Sequence, residues 1–426
     1  MRNIEKLLQA YPEISDYVIR RRQTRSAEWF FIGDKLDQSR RKEVTYTSVK
    51  LFVDDLKGKT RGHAEITIYP THTPNEIKEL LHEAVLSAKL IKNEAYVLPV
   101  EKELEFKHDI PENVVETGLE IIDFIFDTAK KAKGDLNSFE VFVNHNTVEF
   151  LNKNGLHLNY STQDCYLEVI VNAKTATQEI ELYKEYNFGS LNKESLANQF
   201  NALFTEAKDR ANAAPTPKLE KADLILSNDN VEALLGVYES STNAASLYNH
   251  MSNFTMGQNI QENAIGDKIE MTMLNALEGS IYNTPIDADG VILKSAKVIE
   301  NGIFTQAWGD ARHACYLNIT PTGSLRNVSF KGGSRSIKEL EKEDALEVLD
   351  FSSFIVDSST GDFSGEIRLG YVLKNGVKTA ISGGSISGNL LALHHQLYLS
   401  KETQRSNRFE GPIKLRLCGV SVAGIQ

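Results

Sequence analysis

His82-Glu83 opens in the manner of a zinc-binding H-E-x-x-H helix, in which two imidazoles one turn apart reach a single ion and the glutamate handles a proton. The positions that must supply the second imidazole are Leu86 and Ser87. His82 also falls off the apolar stripe of its segment, beside Glu79 and Glu83, so it reads as a solvated side chain. The run Gly383-Gly384-Ser385-Ile386-Ser387-Gly388 approaches the G-x-S-x-G nucleophile elbow, but neither serine has glycine two residues away on both sides. It reads as a tight turn ahead of a helix capped by Asn389. His394 and His395 are adjacent and on a helix would diverge by about 100°, so they cannot chelate one ion together. A site that used His313, His394 or Cys418 would have to be assembled across the fold. No P-loop, dinucleotide fingerprint or Cys-x-x-Cys pair occurs. Local motifs therefore assign this chain no catalytic residue, no metal ligand and no cofactor.

The elements that would position such residues follow from periodicity and punctuation. Residues 16–69 run in short β-branched and aromatic segments, including Tyr17-Val18-Ile19 and Trp29-Phe30-Phe31-Ile32, and predict an antiparallel meander. A helix follows, with Thr73 as N-cap, Pro74 at its first position and Glu76 completing a capping box, then Ile77, Leu81, Ala84, Ala88 and Ile91 as an apolar stripe. A second helix is expected over 111–133, stopping at Gly134 with Lys130, Lys131 and Lys133 against its negative end. Strands return at 139–150 and 156–161 around Asn154-Gly155, and again at 166–171 and 179–186, before a helix over 193–211. The stretch ANAAPTPKLEK at 211–221 breaks both periodicities and is the best linker. Beyond it, 222–226 reads as a strand and 230–248 as helical. Short strands then alternate with Asp289-Gly290, Asn301-Gly302, Gly332-Gly333 and Asn375-Gly376, before a helix near 389–399 and a last strand near 413–422. The fold class is α+β. An N-terminal α+β domain with an antiparallel sheet and two long helices spans 1–214, and a C-terminal, mainly antiparallel β domain, closed or sandwiched, spans 215–426.

Composition bounds the partners. With 426 residues the chain can bury two ordinary cores. Lys plus Arg number 47 against 58 Asp plus Glu, and the net charge of −11 repels a phosphate backbone, so nucleic acid is not expected as a partner. Arg20, Arg21, Arg22 and Arg25 form the densest basic run and are expected on a solvated strand edge. Three cysteines, Cys165, Cys315 and Cys418, give no disulfide framework. The N-terminus carries no continuous apolar segment, and 390–399 is interrupted by His394, His395 and Gln396 and is too short to span a bilayer, so a cytoplasmic location without membrane contact is the expectation.

One ordered set of segments changes the picture. Val356-Asp357-Ser358-Ser359-Thr360-Gly361-Asp362-Phe363-Ser364, then Gly370-Tyr371-Val372-Leu373-Lys374-Asn375-Gly376, then Ile386-Ser387-Gly388-Asn389-Leu390, and Val422-Ala423-Gly424 together resemble the TldD/PmbA family. The resemblance extends with decreasing clarity over most of the chain and implies an α+β N-terminal part and a β-rich C-terminal part. TldD-type members carry an H-E-x-x-x-H zinc helix where the second domain begins, and PmbA/TldE-type members do not. Here that region reads Asn230-Val231-Glu232-Ala233-Leu234-Leu235-Gly236-Val237-Tyr238, without histidine, so the resemblance is to the metal-free type.

What this implies is a non-catalytic subunit of a zinc metallopeptidase. Its zinc would lie in a TldD-like partner, and its substrate would be unfolded peptide, in peptide maturation or antitoxin turnover. The family also carries the older description of modulator of DNA gyrase. Asp362, Phe363, Ser364, Ser387 and Asn389 are the expected places of substrate contact, with Thr360-Gly361-Asp362 read as a turn in which Asp362 bonds its own backbone. The alternative is a homodimeric scaffold that binds peptide or protein without peptidase activity.

Overall fold

The computed structural model describes residues 1–98, 100, 104, 110–176 and 178–425. A short helix, α1 (Arg2–Gln9), precedes β1 (Asp16–Ile32), β2 (Lys35–Asp54) and β3 (Thr60–Ile68). The predicted capping box starts α2 (Pro74–Leu90): Thr73 accepts the Glu76 amide at 3.3 Å and Glu76 accepts the Thr73 amide at 2.7 Å. A two-residue strand, β4 (Asn93–Glu94), leads to α3 (Val114–Ala132), β5 (Asp135–Asn152), β6 (His157–Lys174), β7 (Glu179–Phe188) and α4 (Lys193–Ala211). The seven strands form one antiparallel sheet in the order β4-β3-β2-β1-β5-β6-β7. The sheet buries one part of its surface against α3 and α4, through Ile121, Ile125, Phe200 and Phe204, and another against α1 and α2, through Leu8, Leu81 and Val85.

Three expectations are corrected here. The arginine run does not lie on an edge, because β1 is the central strand, hydrogen-bonded to β2 and β5. Arg22 there donates to Asn146 Oδ1 at 3.0 and 2.8 Å, and Arg20 to the Tyr160 hydroxyl at 3.2 Å, so half the run is spent on cross-strand bonds. The strands expected at 156–161 and 166–171 are one strand, β6. Finally, α3 ends with Lys133 itself in the left-handed conformation (φ 51°). Gly134 is needed for a different reason: a Cβ there would lie 2.2 Å from the Phe204 ring of α4.

The expected linker is docked. Its strand β8 (Ala214–Pro215) adds in parallel to a strand more than 160 positions later, and the Thr216 hydroxyl donates to the Gly383 carbonyl at 2.6 Å. Then come β9 (Lys221–Ser227), α5 (Asp229–Thr242), α6 (Ala244–Tyr248), β10 (Met271–Leu274), β11 (Ala296–Glu300), β12 (Ile303–Phe304), α7 (Ala311–Tyr316), β13 (Asn327–Phe330) and α8 (Ile337–Leu340). The remainder is β14 (Ala345–Val356), β15 (Asp362–Lys374), β16 (Val377–Ser382), β17 (Ser385–Asn389), α9 (Leu390–Leu393), a 3₁₀ turn (His394–Gln396), β18 (Leu397–Leu399), β19 (Thr403–Arg405), β20 (Phe409–Pro412) and β21 (Lys414–Ala423). The helix expected over 389–399 is thus one turn of α-helix, one of 3₁₀ and a strand.

The closed alternative is the one observed. Strands β14, β9, β21, β17 and β15 pair in succession, and β15 pairs back onto β14, completing a five-stranded barrel. A six-stranded sheet, β12-β11-β10-β13-β20-β19, shares one apolar core with it, in which Leu226, Val348, Ile386 and Leu417 meet Met273, Val298 and Phe409. The barrel is pinned by a buried ionic group: Glu347 on β14 accepts from Ser227 on β9 at 3.0 Å, from Lys378 on β16 at 2.9 Å and from Lys414 on β21. The N-terminal sheet meets this part through the segment after β10, where Ile286 packs with Phe52, Tyr96 and Phe150, and Lys50 bridges Asp289 at 2.5 Å. Among the described residues, no helix is long and apolar enough to cross a membrane.

Candidate functional site

The residues singled out in 362–389 lie side by side. Register pairs Asp362 with Asn389, Phe363 with Gly388 and Ser364 with Ser387 across β15 and β17. Alternation on the strand sends Phe363 and Gly365 inward and leaves Asp362, Ser364 and Glu366 exposed, with Ser387 exposed beside Ser364. Asn389 Nδ2 donates to Asp362 Oδ1 at 2.8 Å and to the Thr360 carbonyl at 2.9 Å, while its Oδ1 caps α9 by accepting the Ala392 amide at 2.9 Å. The Thr360 hydroxyl donates to Asp362 Oδ2 at 2.7 Å. Bonds from Asn389 and Thr360 hold the Asp362 carboxyl below the usual carboxylate range, so it is an ionised acceptor on the surface.

Two details differ from expectation. Asp362 does not bond its own backbone: its carboxylate is held by the Asn389 and Thr360 side chains. Phe363 is 3% exposed, with its ring under Gly388, where an added Cβ would lie 2.6 Å from it, so it supports the strand pair from beneath and cannot touch a substrate. What remains is a flat row of small hydroxyls, Ser364 and Ser387, with a carboxylate and an amide at its end. Such a row offers hydrogen bonds, and the Asp362 carboxylate at its end is held by Asn389 and Thr360.

Helix α5 lies behind this corner. Its Ser241 hydroxyl accepts from Asn253, whose side-chain amide also donates to the Ser358 carbonyl in the turn before Asp362. Val231, Leu234, Leu235, Val237 and Tyr238 are all fully buried. The Tyr238 hydroxyl meets His394 Nδ1 at 3.1 Å and their rings stack at 6.2 Å. Burial, with some help from His395, lowers the His394 pKa to about 4, so this imidazole is neutral at physiological pH. Glu232 and Glu239 of the same helix both face Arg408, and burial pushes both carboxyl groups up.

The donor set a zinc ion needs is not assembled in this region. α5 offers phenol, alkyl groups and two glutamates already shared by an arginine, and the nearest imidazole is spent on Tyr238. Among the described residues, no group of three or more His, Cys, Asp or Glu is placed to hold a metal. His82 is exposed on α2. His313, His394 and Cys418 each have a different partner: Asp310 at 2.8 Å, Tyr238, and Asp223 at 3.5 Å. Burial and the neighbouring Asp223 carboxylate raise the Cys418 thiol to about 11. Sequence reasoning missed a second cluster, Lys50, His63, Asp287, Asp289 and Arg312, which lines a cleft where the N-terminal sheet meets the C-terminal part. No local signal marks it, because its members come from strands and loops far apart in the chain.

A helix-backed antiparallel sheet is thus joined to a five-stranded barrel, and α5, which has no histidine, packs against the barrel strands β9 and β14. Residues 219–424 match the family described as PmbA/TldA metallopeptidase C-terminal domain, so this C-terminal part of the chain is of the TldD/PmbA type. Curated relatives include a zinc metalloprotease TldD homolog of Saccharolobus solfataricus, 28% identical over 144 residues, covering 29% of this chain and 31% of that protein. An uncharacterized Methanocaldococcus jannaschii protein is 22% identical over 165 residues, covering 36% of this chain and 39% of its own length. The chain thus spans well under half the length of these relatives. Solved structures share the fold nearly end to end. TldE from Thermococcus kodakarensis has a TM-score of 0.76 at 17% identity, covering 99% of this chain and 98% of its own. A Bacteroides thetaiotaomicron protein described as a modulator of DNA gyrase has a TM-score of 0.79 at 17% identity, covering 100% and 98%.

Proposed function

We propose that this chain is the zinc-free, non-catalytic subunit of a cytoplasmic two-chain metallopeptidase that acts on unfolded peptides, with the zinc held by a TldD-like partner. The observation that carries the reading is the chemistry of α5. A catalytic zinc helix must present two imidazoles on one face toward an open position for water. In this chain Leu234 and Tyr238, one turn apart, are fully buried, and Tyr238 is hydrogen-bonded to His394. In this reading the chain's contribution is to shape and bind. Asp362, Ser364, Ser387 and Asn389 supply acceptors and donors for an extended main chain, which suits a substrate recognised through its backbone more than its side chains.

The test is biochemical. The purified chain alone should hold no stoichiometric zinc by mass spectrometry of metals and should leave an unfolded test peptide intact. Adding a histidine-bearing TldD-type chain from the same cell should give a stable complex that cleaves it. One tightly held zinc per chain, or cleavage by the single chain, would overturn the proposal. A stable dimer of this chain with itself that refuses the partner would favour the scaffold reading instead.

A further inference from the structure

The cleft at the junction of the two parts has about 250 Å³ of space. Lys50 on β2, His63 on β3 and Tyr96 form one side, and Asp287, Asp289 and Arg312 form the other. Its carboxylates are already occupied. Asp287 accepts the backbone amides of Asp289 at 2.9 Å, Val291 at 3.0 Å and Ser324 at 3.1 Å. Asp289 bridges Lys50, and Asp310 holds His313 through both its backbone amide and its ring at 2.8 Å.

The donors are in the opposite condition. His63 Nδ1 and Arg312 Nε are both buried without a hydrogen-bond partner from the chain. Among the described residues Arg312 makes no ion pair, and its guanidinium rests over the Tyr316 ring at 5.8 Å. Arg312 Nε is a donor in every protonation state, and a buried donor left unmet costs about 1–3 kcal/mol, while the residue itself lines the cleft without an ion-pair partner among the described residues. Burial and the nearby Lys50 charge lower the His63 pKa, which favours the neutral ring, in which one nitrogen carries an N–H and the other a lone pair. Arginine's planar fork matches a carboxylate. Asp289 and Asp310 nearby disfavour a dianion such as phosphate.

We propose that this cleft binds the carboxylate end of an amino acid or dipeptide, with Arg312 as the anchoring cation and His63 as the second donor. That the natural guest is a peptide fragment rests on the peptidase-subunit reading. The carboxylate binding does not, because it belongs to the single chain. Isothermal titration of the full chain with N-acetyl-Ala-Ala, its C-terminal amide and inorganic phosphate tests it.

The acid should bind, and the amide should bind about tenfold or more weakly, the loss expected for one charge-assisted hydrogen bond. Arg312→Gln should weaken the acid to the same degree at an unchanged melting temperature, and Arg312→Lys should recover part of the loss. If Arg312→Gln does not fold, His63→Asn is read in its place and should weaken the acid severalfold. Equal binding of acid and amide, tighter binding of phosphate, no binding of the acid, or unchanged binding by the variant that is read would each overturn the proposal. A chain that binds the acid yet never pairs with a zinc-bearing subunit would sink the peptidase reading and leave this one standing.

Discussion

Glu347→Gln tests how the barrel is held shut. Glu347 is 2% exposed, and its carboxylate collects Ser227 from β9, Lys378 from β16 and Lys414 from β21, so three strands depend on one charge. Burial pushes its carboxyl up, but Lys414 and Lys378 outweigh that, and the net shift is downward. Breaking a buried pair costs about 3–5 kcal/mol because the surviving charge stays buried. Lys378 is 40% exposed and recovers water, and Lys414 keeps Glu341, so the low end, about 3 kcal/mol, is expected. Urea unfolding followed by circular dichroism gives the difference directly.

The pH dependence of that difference fixes its origin. A carboxyl with a depressed folded pKa stabilises above its unfolded value, near 4.5, and that contribution disappears as pH falls through the folded value. The gap between the native chain and Glu347→Gln should therefore be full at pH 7 and shrink below about pH 4.5. A gap under about 1 kcal/mol at pH 7, or one independent of pH, would refute the ionic account and leave packing as the cause.

Three further outcomes are expected. Gly388→Ala places a Cβ 2.6 Å from the Phe363 ring and should cost about 1–3 kcal/mol in urea unfolding, with the barrel rim perturbed where Ser364 and Ser387 pair. Brief alkylation of the native chain at pH 7.5, read by intact mass, should modify Cys315 alone: Cys165 is buried and its thiol pushed up to about 12, and Cys418 is pushed up to about 11. His394 should stay neutral by NMR titration down to about pH 5. Its depressed folded value means the unfolded chain binds the proton first, so the stabilisation it lends is complete above about pH 6.5 and is lost as pH falls toward about 4.

Local chemistry was legible in the sequence, and long-range chemistry was not. The Thr73-Pro74-Glu76 start of α2 and the 193–211 limits of α4 follow from capping and periodicity, which act within a turn or two. The ordered motifs around Asp362 and Asn389 marked a real juxtaposition because they belong to two strands paired in register. Phe363 was misjudged because period-2 alternation decides which neighbours of an exposed carboxylate point inward, and a single motif does not reveal that phase. The arginine run was misplaced because edge or centre is a property of strand order, and β1 finds β5 only across more than a hundred residues. The Lys50, His63 and Arg312 cleft had no sequence signal, since its walls come together only when the segment after β10 docks on the N-terminal sheet.

The way α5 is packed bears on what that helix can do. The barrel, the six-stranded sheet and α5 share one core, in which α5 contributes Val231, Leu234, Leu235, Val237 and Tyr238 with essentially no exposure. A zinc helix must leave one face open to water and substrate, which forfeits burial of roughly 1.5–3 kcal/mol for each large apolar side chain. Here that face is closed by Tyr238 stacked on His394 and on Phe254. A helix in this position can therefore either expose ligands on that face or bury it in the core. The residues of this chain choose core, while Asp362, Ser364 and Ser387 lie exposed on the barrel rim and Arg312 lines the cleft at the junction.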